Sequence, residues 1–134
     1  MAKQSVYILF DGTAKEAMEF YQLCLGGHLQ ITSVGESPLK AMFPISFHNK
    51  TLNGRLQSEF VDISTSDWLK PDETPIRGNM NCLYISGGTI ENTTEIFEKL
   101  SVGANVTDPL RVEPFSTYGA LNDKFGLRWM FHAE

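Results

Sequence analysis

The sequence predicts an α+β fold built twice, two βαβββ modules forming a cupped mixed sheet. Three observations predict it. Each half opens on a short alternating run that passes through a glycine turn into a capped amphipathic helix. The halves can be laid over each other: Tyr7-Ile8 on Tyr84-Ile85, Asp11-Gly12-Thr13 on Gly87-Gly88-Thr89, Tyr21 on Phe97 and Gly27 on Gly103, at an offset of 76 to 77 residues. Near the C-terminus, Ser116–Phe131 reads as a β-hairpin around Asp123-Lys124-Phe125-Gly126, with Asp favouring turn entry and Gly supplying the positive φ on exit. Each module then buries one sheet face under its helix, and the two remaining faces meet or curl around a shared space.

In the first module, Val6, Ile8 and Phe10 alternate with Ser5, Tyr7 and Leu9, giving a strand that ends at Asp11-Gly12. Thr13 followed by Glu16 is a capping box, and Ala14, Ala17, Met18, Tyr21, Cys24 and Leu25 make one apolar helical stripe that Gly26-Gly27 ends. Strand-like His28–Val34, a turn at Gly35–Pro38, a second run Leu39–His48, a turn at Asn49–Gly54 and a strand Arg55–Ile63 follow. Ser64–Gly78, with two prolines and mixed charge, reads as a long connection, a lid or an interface segment. The one domain thus divides into a first module over 1–64, a connecting loop over 65–78 and a second module over 79–134.

The second module restarts with a strand at Met80–Ser86, a turn at Gly87-Gly88 and a helix cap at Thr89. Thr93, Ile96, Phe97 and Leu100 form its helical stripe, and Gly103 closes it. A short strand around Ala104–Thr107 and a Pro-bounded loop lead to the hairpin, with Leu127, Trp129 and Phe131 on one face and Arg128, Met130 and His132 on the other.

Composition excludes several classes of function. The 134 residues carry a formal net charge of −5 and no run of Lys or Arg, which argues against nucleic acid and against anionic membranes as partners. There is no signal-peptide h-region and no apolar run long enough to span a bilayer, so the expected location is cytoplasmic. Cys24 and Cys82 sit in apolar patterns, and the plain reading of each is a buried thiol. No phosphate loop, nucleophile elbow or redox cysteine pair is present.

Leu9-Phe10-Asp11-Gly12 running into Glu16–Tyr21, then Gly26-Gly27, Tyr118-Gly119, Asp123–Gly126 and Trp129-Met130, resemble the vicinal-oxygen-chelate superfamily and its PhnB-like branch. That superfamily shares the glyoxalase/bleomycin-resistance fold, and the resemblance covers nearly the whole chain. It implies a cup, often completed in a homodimer, and in the metal-dependent members His and Glu ligands from the first, fourth, fifth and eighth strands. Carried over one at a time, those positions fall near Lys3 or Ser5, at Glu59 or Ser58, near Met80 and at Met130. Only Glu59 is a carboxylate, so the expectation is that metal and other cofactors are absent.

The candidate ligand-binding residues are Tyr7, His48, Glu59, Cys82, Tyr84 and Met130. Tyr7 and Tyr84 lie opposite the helix-packing Ile8 and Ile85, which puts both phenols in the cup with Cys82 and Met130; a collapsed or dimer-filled core is the competing reading. His48, at a strand end, is the one histidine placed to act as a general base, whereas His28 and His132 read as structural or surface groups. The expected function is a metal-free homodimer binding a small molecule, with no catalytic residue assigned. The alternative is a metal-dependent glyoxalase-like lyase or a resistance transferase using His48 and Glu59, or a sequestering protein closed by Ser64–Gly78.

Overall fold

The computed structural model describes residues 2–112 and 116–133, so Glu113, Pro114 and Phe115 of the expected Pro-bounded loop lie outside the described residues. The chain divides into two compact units, Met1–Pro75 and Ile76–Glu134. Each holds one helix and a four-stranded mixed sheet.

The first unit contains β1 (Val6–Phe10), α1 (Ala14–Leu25), β2 (His28–Ser33), β3 (Thr51–Gln57) and β4 (Asp62–Asp67). Its sheet order is β1-β4-β3-β2, with β1 parallel to β4 and the other pairs antiparallel. All six residues of the predicted α1 stripe are buried, and α1 packs on β2, β3 and β4. The helix start departs from the capping box: Thr13 makes no side-chain cap bond. Instead Asp67, 2% exposed, accepts the Ala14 N–H at 2.9 Å and the Thr51 N–H at 2.8 Å. One carboxylate therefore satisfies a free donor at the positive end of α1 and ties it to the start of β3.

Four segments in this unit differ from the sequence reading. Leu39–His48 is not a strand but two 3-10 turns, Lys40–Met42 and Ile45–Phe47. Pro44 interrupts its alternation and removes a ladder donor, and Pro38 stands just ahead of it. The expected turn Asn49–Gly54 is largely β3, because Gly54 is a packing glycine: a Cβ there would meet Thr65 Cγ2 at 3.1 Å and Ile31 Cγ1 at 3.3 Å. The expected strand Arg55–Ile63 is the end of β3, a turn and the start of β4. Ser58 holds that turn, its Oγ accepting the N–H groups of Phe60 and Val61. Since β4 runs on to Asp67, the first four residues of the expected Ser64–Gly78 connection are strand. The indole N–H of Trp68 then donates to the carbonyls of Lys70 and Glu73 at 3.0 and 2.9 Å, fixing the start of the connection.

The second unit contains β5 (Leu83–Gly88), α2 (Ile90–Leu100), β6 (Asn105–Val112), β7 (Thr117–Asn122) and β8 (Arg128–Ala133). Its order, β5-β8-β7-β6 with β5 parallel to β8, repeats that of the first unit. The predicted duplication is therefore present at the level of topology. Thr89 caps α2 as expected, its Oγ1 accepting the Asn92 N–H at 3.0 Å. The stripe Thr93, Ile96, Phe97 and Leu100 is buried, and Phe97 meets Phe131 edge-on at 5.3 Å.

Here too some bounds move. β5 starts at Leu83 rather than Met80 and runs through Gly87-Gly88. β6 extends to Val112, with register shifts on either side of Asp108, beside Pro109, which has no N–H to give the ladder. The hairpin forms as read: β7 and β8 pair antiparallel, Asp123 and Leu127 close the turn, and Gly126 has φ of 88°. Leu127, Trp129 and Phe131 are buried. Among the described residues, no helix is long and apolar enough to cross a membrane.

Candidate functional site: the open sheet faces

Side chains alternate across a strand, so burying Trp129, Phe131 and Ala133 under α2 sends Arg128, Met130 and His132 to the opposite, open face. The strand register then sets two adjacent rows on that face. One runs Tyr84–Met130–Ala120–Asp108, the other Ser86–His132–Tyr118–Arg111. Partners within such a row have Cβ atoms about 5 Å apart. Tyr84 is 57% exposed, while Ala120 between its larger neighbours is fully buried and forms a floor. Cys82, just before β5, brings its Sγ to 3.2 Å from Met130 Sδ. At one end Arg128 donates to Thr107 Oγ1 at 3.1 Å and pairs with Asp108 at 3.5 Å, so those two charges offset each other.

The open face of the first unit follows the same rule. Tyr7, also 57% exposed, lies in a row with Ser64, Arg55 and Gln30, and the next row carries Asp62, Gln57 and His28. Arg55 grips Asp62 with two hydrogen bonds, Nε at 2.9 Å and Nη2 at 2.7 Å. That grip holds the Asp62 carboxyl below its ordinary value and raises Arg55.

The structure therefore brings together Cys82, Tyr84 and Met130, and puts Tyr7 at the equivalent place in the other unit. Cys82 is exposed, correcting its reading as a buried thiol; Cys24 is buried as read. His48 and Glu59 are not on either face. His48 follows the second 3-10 turn rather than ending a strand, and its Nε2 lies 2.9 Å from the Lys40 carbonyl and 3.3 Å from that of Phe43. The ring thus pins a loop whose prolines prevent a strand. Glu59 is exposed in the β3–β4 turn, because β3 ends at Gln57. Sequence reasoning left Tyr118 and Arg111 out of the site. Counting outward from the Asp123–Gly126 turn would have placed Tyr118 opposite His132, but the irregularity of β6 hides Arg111.

The donors of a superfamily metal site can be tested against these faces. On the first, fourth, fifth and eighth strands the open-face residues are Tyr7 and Leu9, Asp62, Ser64 and Ser66, Tyr84 and Ser86, and Arg128, Met130 and His132. Lys3, Ser5 and Met80 precede their strands. Asp62 is held by Arg55, and Met130 offers a thioether to which hard divalent ions bind poorly. Among the described residues, no three His, Cys, Asp or Glu side chains come together as metal ligands. This donor set does not fit a hard divalent metal.

No protein-family model matches the chain, and no curated protein does. Solved structures do match. Protein PA1353 from Pseudomonas aeruginosa superposes with a TM-score of 0.84 at 26% identity, over 100% of this chain and 98% of its own. A PhnB protein from Bacillus cereus gives 0.76 at 23% identity, over 99% and 100%. The fosfomycin resistance protein FosX from Listeria monocytogenes, complexed with Mn(II) and sulfate, gives 0.62 at 11% identity, over 99% and 92%. With its repeated βαβββ units and these neighbours, the chain carries the fold of the vicinal-oxygen-chelate superfamily, in the form shared with its PhnB-like branch.

Proposed function

We propose that the chain is a metal-free small-molecule-binding protein that acts as a cytoplasmic homodimer, with the open face of the second unit as its binding surface. The observation that carries this reading is the make-up of that face. Tyr84, Tyr118 and Met130 surround the Ala120 floor with apolar area, while hydroxyl, imidazole and guanidinium groups stand beside it. A mostly apolar lining with a few polar tips suits orientation of a small organic ligand. The exposed free thiol of Cys82 is consistent with a reducing compartment. The homodimer rests on the resemblance.

Elemental analysis of untagged protein tests the metal-free part: stoichiometric Zn, Ni, Fe or Mn would sink it. Amide-shift mapping with a fragment set tests the surface. Shifts clustered at Tyr84, Tyr118, Ala120 and Met130 support it, and shifts confined to other regions overturn it. Sedimentation equilibrium tests the dimer; a monomer at micromolar concentration counts against it.

A further inference from the structure

Resting on that reading, the geometry points to a ligand class: we infer that the Ser86–His132–Tyr118–Arg111 row recognises the acidic group of a small, flat organic anion whose apolar part covers Tyr84 and Met130. The four residues are consecutive register partners across β5, β8, β7 and β6, so they share one face and one line. Their donors are a guanidinium, a phenol, an imidazole and a hydroxyl, and none of them carries a negative charge.

Charge in the neighbouring row sharpens the argument. Asp108 is the one carboxylate on this face among the described residues, and it is paired with Arg128 and accepts from Thr107 at 3.0 Å. No carboxylate of a described residue pairs with Arg111, which is exposed at the edge strand. Among the described residues of a chain with a net charge of −5, Arg111 is thus a cation with no carboxylate partner beside an apolar row. A planar fork of N–H donors matches a carboxylate, sulfonate or phosphate better than a point charge would. The adjoining Tyr84–Met130–Ala120 row offers a flat surface of soft and aromatic groups for the rest of the molecule.

Titration calorimetry with 2-naphthoate and its neutral isostere 2-naphthamide separates the outcomes. The expected result is binding of both, with the acid tighter by about tenfold or more, the worth of a charge-assisted hydrogen bond. Arg111→Gln should bring the acid down to the affinity of the amide and leave the amide unchanged. Lys99→Gln, which removes one charge from the exposed side of α2, should change neither. Equal affinities for acid and amide, or an equal loss with Lys99→Gln, overturn the inference and leave the binding surface standing. Binding of neither probe removes the binding surface and the inference with it. Unchanged thermal unfolding of Arg111→Gln shows that the folded protein is being compared.

Discussion

The indole N–H of Trp129 donates to Asp123 Oδ2 at 2.8 Å in the interior of the second unit. The same carboxylate, 5% exposed, accepts the N–H groups of Phe125 at 2.8 Å and Leu127 at 3.0 Å through Oδ1. Asp123 is therefore more than a residue suited to turns. It joins the β7–β8 turn to the largest buried side chain of the unit.

Removing that carboxylate takes a hydrogen-bond acceptor from each of three N–H donors. Asp123→Ala is expected to lower stability by about 3 kcal/mol or more, and Trp129→Phe by about 2 kcal/mol through lost volume and one lost bond. Urea denaturation checks both; a loss under about 1 kcal/mol for Asp123→Ala would contradict the geometry.

The cap of α1 is supplied from β4 rather than from its own first turn. Asp67→Ala should cost about 2–3 kcal/mol, since two buried N–H groups lose their partner. Thr13→Ala, whose side chain makes no cap bond, should stay within about 0.5 kcal/mol, while Thr89→Ala should cost about 1 kcal/mol. Thermal unfolding of the three variants would order them, and a Thr13 effect equal to that of Thr89 would restore the capping box.

Gly119, in β7, is packed against the Phe97 ring of α2 and against Leu110 of β6. A Cβ there would stand 2.9 Å from Phe97 Cε2 and 3.1 Å from Leu110 Cα, so backbone as well as side chain must yield. Gly119→Ala is expected to cost about 1–3 kcal/mol. Gly78→Ala, with nothing within 4 Å, should be neutral to within about 0.5 kcal/mol. Comparable losses at both positions would show that the packing argument is wrong.

The Arg55–Asp62 pair sets a pH signature on the first unit. Asp62 is depressed first by its hydrogen bonds from Arg55, so its folded form ionises more readily than its unfolded form. The stabilisation is present above the ordinary carboxylate value and is lost as pH falls through the lower, folded-state value. Arg55→Gln should return the Asp62 titration to the ordinary range in carboxyl NMR, with little change in stability because both groups are exposed. An unmoved titration would show that another cause holds it down.

The repeated units, their helices and the hairpin were legible in the residues alone. Those features rest on local patterns: the buried stripes of α1 and α2, the Asp123–Gly126 turn, and the alternation that divides Trp129 from Met130. The sequence also placed Tyr7 and Tyr84 correctly on open faces, since period-two alternation fixes a face once one neighbour is known to be buried. The contacts that pair distant positions emerged only in the folded chain. His48 pins a proline-broken loop, Glu59 sits in a turn that Ser58 holds, and Gly54 is packed inside β3 rather than at a bend. The row that joins Arg111 to Tyr118 and His132 depends on register across an irregular strand. Register is a relation between strands, and a one-residue slip exchanges their faces, so no single strand's pattern contains it.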